Sequence, residues 1–363
     1  MGLPFQKPDP EQYKRGIADG LTRAYRDRSV EKQPIDVDAA RIVVFSDHHR
    51  GRRDGADDFQ RCERAYNAAL AFYQETGYTL MLLGDVDELW ENDPGEIIEA
   101  YTETLALESA FHRDGCLERF WGNHDDDWNN KAKTASHLHA AFPGLEVREA
   151  LKLSVTGDGA QLGELFLLHG HQGTLDSERF SWISRIVVRH VWRPLQRKVG
   201  FASTSPAIDW ELRGRHEEAM FQWAENQRPR PVLIAGHTHR PVFGTSEAPL
   251  KIPRSEAEVE RELEAARASG DAAQELLGRL SAELEYIRAE QRRHARKPID
   301  VVPPCYFNTG CCSYGDGDVT GLEIAGGELR LVRWSGDAQQ RVVSEVLARK
   351  DLREVLAEVG PRA

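Results

Sequence analysis

The chain has 363 residues, of which 40% are hydrophobic and 29% charged, and a formal net charge of -12. That length suits one large domain with insertions or two modest ones. The acidic balance excludes a nucleic-acid-coating protein, whose function needs a broad basic surface. No apolar run reaches bilayer-spanning length. Met1 to Ala40 carries charges throughout and lacks the apolar core of a signal peptide, so a cytoplasmic location is expected. The five cysteines are odd in number and form no CxxC pair. Cys311 and Cys312, adjacent in sequence, read as small buried residues rather than a disulfide.

Glu11 to Arg28 reads as a helix covering one edge of the domain. Arg41 to Phe45 is a β-branched run, the pattern of a strand buried on both faces. Asp58 to Thr76 places Phe59, Cys62, Tyr66, Leu70 and Tyr73 at helical spacing and stops at Gly77. Tyr78 to Leu83 is a second buried strand. Pro94-Gly95 opens a helix through His112, and Leu117 to Trp121 is a third strand. Leu145 to Val155, Glu164 to Leu168 and Pro231 to Ala235 read as further strands. Residues 178–230 form a helical cap insertion, basic and aromatic in its first half. Residues 254–297 are rich in Glu, Ala, Leu and Arg, with Leu277, Leu280, Leu284 and Ile287 at near-heptad spacing. Ser269-Gly270-Asp271 breaks that stretch, which predicts an antiparallel helical hairpin, a structural arm or one through which copies could pair. Thr320 to Ile324 and Glu328 to Trp334 are strands joined tightly at Gly326-Gly327. Val342 to Val359 reads as a closing helix. The expectation is a single domain, 1–363, with its catalytic core in 41–253 and 298–335.

Strand after strand ends in a polar cluster. These are Asp47-His48-His49, Gly84-Asp85, Gly122-Asn123-His124-Asp125, His169-Gly170-His171 and Gly236-His237-Thr238-His239. Ligands of open α/β sheets gather at that edge. Asp47 and His49, like His237 and His239, are two apart and on a strand would share a face, with His48 turned away. Asp85 offers two oxygens that can bridge two cations, and Asn123 a neutral amide oxygen. His169, His237 and His239 complete two nitrogen-and-oxygen shells. A lone Asp at a strand end is usually a turn residue, and a lone His a satisfied imidazole. Seven suitable residues at five strand ends point instead to a pair of divalent metals, and to phosphoester hydrolysis.

The clusters resemble those of the calcineurin-like metallophosphoesterases: Asp-x-His, Gly-Asp, Gly-Asn-His-Asp/Glu, His-Gly and Gly-His-x-His, in that order. The resemblance spans Ile42 to Gly310, with Asn308-x-Gly310 as a further shared feature. It implies a four-layer αββα sandwich. One metal would lie on Asp47, His49, Asp85 and His239, and the second on Asp85, Asn123, His169 and His237. The cofactors implied are two divalent ions, Mn²⁺ first, with Fe or Zn²⁺ also suited to the ligands. A hydroxide bridging them would attack phosphorus in line. His124, needed for neither shell, would stabilise the phosphoryl group or protonate the leaving oxygen. Asp125 would orient His124 and raise its pKa.

Substrate is read from elsewhere. Glu88-Leu89-Trp90 follows Gly84-Asp85 where the protein Ser/Thr phosphatases of the superfamily carry an Arg, and Trp121 stands where they have another. The form Gly-Asp-x-x-x-x-Trp is closer to bacterial UDP-2,3-diacylglucosamine pyrophosphohydrolases. So are Thr174, Leu175 and Asp176 soon after His169-Gly170, with a helical insertion next. Two departures stand against that match: His124 where that family has Arg, and His171 where it has Asp. Asn123, His171, Asp176 and Arg179 are the expected substrate contacts. The expected partner is a phosphorylated small molecule, nucleotide or lipid-linked substrate, with peripheral membrane contact through the basic helices open. A metal-binding scaffold without activity is the rival from another class.

Overall fold

The computed structural model describes residues 10–173, 210–244, 303–336 and 341–360, with scattered helical positions between 259 and 284. Asp176, Arg179 and the basic aromatic run after them lie outside the described residues, as does most of the predicted hairpin. Val259 and Leu263 from one part of that stretch cluster with Leu280 and Leu284 from the other, apart from the main core. Among the described residues no helix is long and apolar enough to cross a membrane.

The strands in chain order are β1 (Lys32–Asp36), β2 (Arg41–Phe45), β3 (Thr79–Leu83), β4 (Leu117–Phe120), β5 (Val147–Arg148), β6 (Ala150–Gly157) and β7 (Ala160–Leu168). There follow β8 (Val232–Ala235), β9 (Pro241–Gly244), β10 (Tyr306–Thr309), β11 (Val319–Ala325), β12 (Glu328–Gly336) and β13 (Val342–Asp351). The helices are α1 (Pro10–Arg26), α2 (Phe59–Glu75), α3 (Pro94–Ala100), α4 (Thr102–Arg113), α5 (Lys131–His137), α6 (Trp210–Asn226) and α7 (Leu352–Val359). They build two sheets, ordered β1-β6-β7-β8-β10-β9 and β13-β12-β11-β2-β3-β4-β5. The centre of each is parallel: β2, β3 and β4 in one, β7, β8 and β10 in the other.

Strand alternation assembles the layers. Ile42 and Val44 of β2 join a cluster that includes Leu151, Leu167 and Ile234 of the opposite sheet. Val43 and Phe45 turn the other way, into a cluster with Phe59, Tyr66 and Tyr73 of α2. A strand with apolar neighbours on both faces must be a continuous apolar run, as Ile42-Val43-Val44-Phe45 is. Each such side chain contributes about 1.5–3 kcal/mol on full burial. α1 and α6 cover the outer face of one sheet, with the Trp223 indole N–H donating to Thr22 Oγ1 at 3.0 Å, while α2 and α4 cover the other. The four-layer sandwich is therefore present.

Three boundaries differ from the sequence expectation. Val342 to Val359 is not one helix: Val342 to Asp351 pairs along β12, and the Asp351 carboxylate, accepting from Glu354 N, starts α7. The free edge of β12 offered a ladder, and pairing overrode a sequence compatible with helix. Leu145 to Val155 splits into β5, which pairs with β4, and β6, which pairs with β7 in the other sheet. The helix from Pro94 breaks at Tyr101 into α3 and α4. Outside 41–253 and 298–335, α1, β1, β13 and α7 also pack on the hydrophobic core.

Candidate metal centre

The sandwich brings the C-terminal ends of β2, β3 and β4 opposite those of β7 and β8, so the five clusters converge. Asp47, His49 and His239 place ligand atoms within 4.8 Å of one another; so do Asp85, His169 and His237, and so do His49, Asp85 and His124. His239 Nε2 lies 3.2 Å from Asp47 Oδ1, and His169 Nε2 lies 3.1 Å from Asp85 Oδ2. His49 Nε2 is 3.1 Å from His239 Nε2 and 3.8 Å from Asp85 Oδ2. Asp85 is thus shared between groups, the position expected of a bridging carboxylate. His48 is turned away, packed on Phe59 and Tyr66.

The reason for the convergence is not strand alternation. Asp47, His49, Asp85, His237 and His239 all have positive φ, between 49° and 68°. They sit past the strand ends, in left-handed turns that Asp and His tolerate better than most side chains. Glycines make room. Gly84 has φ 85°, and a Cβ there would meet the His169 ring at 2.7 Å. A Cβ on Gly122 would meet the Asp85 carboxylate and, at 2.6 Å, its backbone nitrogen. Hydrogen bonds hold the turns from outside. Asn308 Nδ2 donates to Gly236 O at 2.6 Å, Ser313 Oγ to Asp47 O at 2.9 Å and Tyr314 Oη to His239 O at 3.0 Å.

These residues fit cations. The Asn123 side-chain oxygen is buried and accepts no hydrogen bond, a costly state unless something electropositive sits against it. His169 donates Nδ1–H to Leu83 O at 2.8 Å, and His49 donates Nδ1–H to Glu88 at 3.0 Å. Both rings therefore turn Nε2 inward, the tautomer of a metal-ligating histidine. Burial would lower the His49 pKa, but hydrogen bonding to Glu88 and the charges of Asp85 and Asp47 outweigh it and push it up to about 10. His169 is pushed up to about 9, with Asp85 and Asp47 again outweighing burial. Protons gather on these imidazoles because the buried carboxylates lack enough positive charge around them. His237 and His239 are held neutral, chiefly by burial, with lone pairs to give.

Asp125 does not orient His124. Its carboxylate accepts backbone N–H groups of Gly122, Val86, Asp85 and Asp87, at 2.6, 2.9, 3.2 and 3.4 Å, and so ties the third cluster to the second. Only the Gly122 amide is local; the other three belong to the loop after β3, whose otherwise unpaired donors draw the carboxylate away from His124. The residue that holds His124 is Glu88, whose Oε2 accepts from His124 Nδ1 at 2.7 Å and from His49 Nδ1 at 3.0 Å. Burial would raise the Glu88 carboxyl, but His124 and His49 bring it down to about 2. The His124 pKa is raised as expected, since Glu88 and Asp85 outweigh burial. Trp90 stacks on His124 with ring centroids 4.0 Å apart and 18° between planes. Beneath lie Arg50, Arg119, Asp87 and Glu108, fully or nearly buried and ion-paired. They fix the loop that carries Asp85 and Glu88, since Arg50 also bonds Val86 and Glu88 through its backbone.

Glu88 and Asn308 are the residues sequence reasoning missed in their roles. The signal for Glu88 was an acidic residue three positions after Asp85. His171 is buried beside His169 and Trp121 and belongs to none of the three ligand groups. The described cysteines are all free, and Cys62, Cys305, Cys311 and Cys312 are buried.

No curated protein matches the chain. Residues 40–241 match the family model of the calcineurin-like phosphoesterases. That span covers every candidate ligand, His124 and Asp125, and is more than half of the sequence, so the chain belongs to the calcineurin-like phosphoesterase family.

Proposed function

We propose that the protein hydrolyses a phosphomonoester, phosphodiester or pyrophosphate bond with two divalent cations, Mn²⁺ first among them. One would be held by Asp47, His49, Asp85 and His239, and the other by Asp85, Asn123, His169 and His237. The observation that carries this reading is the buried, unpartnered Asn123 oxygen among inward-turned imidazoles and a shared Asp85. The cations supply charge neutralisation on the phosphoryl oxygens and a water acidic enough to react near neutral pH. The chain's own task is positioning and proton transfer. With Nδ1–H bound to Glu88, His124 has Nε2 left to give a proton to the departing oxygen.

The finer reading, a sugar-nucleotide or lipid-linked pyrophosphate, rests on the motif form around Trp90. Trp90 packing on His124 gives it another purpose, so that substrate stands as one arm of a screen. Purified protein loaded with Mn²⁺ is expected to turn over bis-p-nitrophenyl phosphate or p-nitrophenyl phosphate, and to lose this with chelator or in Asp85→Asn. Metabolite phosphates, nucleotides and sugar nucleotides then rank the natural class. A metal-loaded sample that hydrolyses none of them would show a scaffold instead.

A further inference from the structure

Three consecutive residues close on His124 from three sides. Glu88 accepts from its Nδ1. The Leu89 backbone N–H donates to its carbonyl at 3.1 Å. Trp90 lies flat against its ring and donates its indole N–H at 2.7 Å to Asn123 O, the carbonyl of the peptide that joins His124 to a candidate ligand. A side chain with two free torsions keeps its orientation only if its faces are covered. Asp85 Oδ1 also accepts the His124 backbone N–H at 2.8 Å, so the same residue is fixed relative to the bridging carboxylate.

We propose that Trp90 is a positioning residue for proton donation by His124: its indole holds the imidazole edge toward the leaving oxygen and its N–H fixes the Asn123–His124 peptide. This rests on the phosphoesterase reading. In the step concerned, water adds to phosphorus and gives up a proton to solvent, the P–O bond to the leaving group breaks, and the proton on His124 Nε2 goes to that oxygen. His124 is recharged from solvent. The indole takes part in none of these bonds.

A poor leaving group needs the proton and a good one scarcely does, so Trp90 should matter by leaving group. In Trp90→Leu, kcat for diphenyl phosphate is expected to fall about tenfold, the order of a lost ring stack, while bis-p-nitrophenyl phosphate stays within about twofold. Trp90→Phe, which keeps a ring face, should recover most of the loss. Bound Mn²⁺ should remain at the wild-type ratio in both. In the metal-free protein, the His124 ring-proton resonance, assigned by its disappearance in His124→Gln, should lie upfield in the wild type and move downfield in Trp90→Leu. Equal losses on both esters, no loss on either, a fall in bound metal, or an unshifted His124 resonance would each overturn the role of Trp90. Absence of any turnover by the loaded wild type would instead overturn the phosphoesterase reading, and the positioning role with it.

Discussion

Glu88→Gln is the sharpest perturbation of this site, because one carboxylate oxygen serves two imidazoles with different tasks. Gln keeps the shape and one acceptor but removes the charge. A hydrogen bond to a charged partner contributes about 1.5–3 kcal/mol and a neutral one about 0.5–1.5, so each imidazole loses about 1–1.5 kcal/mol. At 1.4 kcal/mol per factor of ten, that is about tenfold on each side. On the His49 side it weakens a ligand's outward partner, and Mn²⁺ affinity should fall about tenfold, at the low end of such losses. On the His124 side it should lower kcat at saturating Mn²⁺ by a similar factor. Titration calorimetry and saturated kinetics separate the two. The double variant is decisive: once His124→Gln has removed the proton donor, Glu88→Gln should cost no further kcat yet still weaken metal binding. A double variant whose kcat losses multiply would refute the shared-carboxylate account, as would wild-type metal affinity in Glu88→Gln.

Metal loading at pH 7.5 should release about two protons, from His49 and His169, read by calorimetry in buffers of different ionisation enthalpy; no release would contradict the raised pKa values of about 10 and about 9. His216 accepts from Tyr13 Oη at Nδ1 and donates Nε2–H to Gly170 O; burial lowers its pKa from 6.5 to about 4. Its folded value lies below its unfolded one, so its contribution is full above pH 6.5 and lost as pH falls toward 4, by about 3 kcal/mol. Denaturation of His216→Gln across that range should show a correspondingly flatter pH dependence than the wild type, and an unchanged slope would count against it. Asp125→Asn sets an amide against backbone donors and should lower stability by about 2–4 kcal/mol; a loss of kcat without a loss of stability would restore Asp125 as the partner of His124.

The parts legible in sequence were those set by local pattern. Ile42-Val43-Val44-Phe45 reads as a doubly buried strand, and the clusters that follow such runs named the seven candidate ligands, which the fold brings together. The parts that were not legible depend on distant partners. Whether Val342 to Lys350 coils or extends depends on the free edge of β12. Which carboxylate reaches His124 depends on how the β3 and β4 loops meet. Asp125 is next to His124 in sequence yet its side chain faces four amides, while Glu88 arrives from 36 residues away. The i, i+2 rule picked residues that do converge, but not for its own reason, because Asp47 and His49 do not lie on a strand at all.

The left-handed turns carry an argument about how the site is held. Of the seven non-glycine residues with positive φ among the described residues, five are candidate ligands. Each sparsely populated conformation costs about 1–3 kcal/mol and persists only when its surroundings over-determine it. The surroundings here include hydrogen bonds to the backbone beside the candidate ligands, and Asn308 is the residue that serves the turn of His237 and His239. Its Nδ2 donates to Gly236 O and Thr238 Oγ1, and its Oδ1 accepts from Gly310 N at 3.0 Å. Asn308→Ala leaves buried groups unmade, a cost of about 2–4 kcal/mol. If His237 and His239 are strained, the freed loop relaxes and returns about 1–3 kcal/mol of it. Metal-free stability should then fall by less than the hydrogen bonds alone predict, while Mn²⁺ affinity falls by more than about tenfold, since binding must restore the strain. Melting with and without Mn²⁺ reads both, because the metal-induced shift reports affinity. Full loss of stability with unchanged metal affinity would mean that the turns are relaxed as they stand, and that Asn308 supports the fold rather than the ligands.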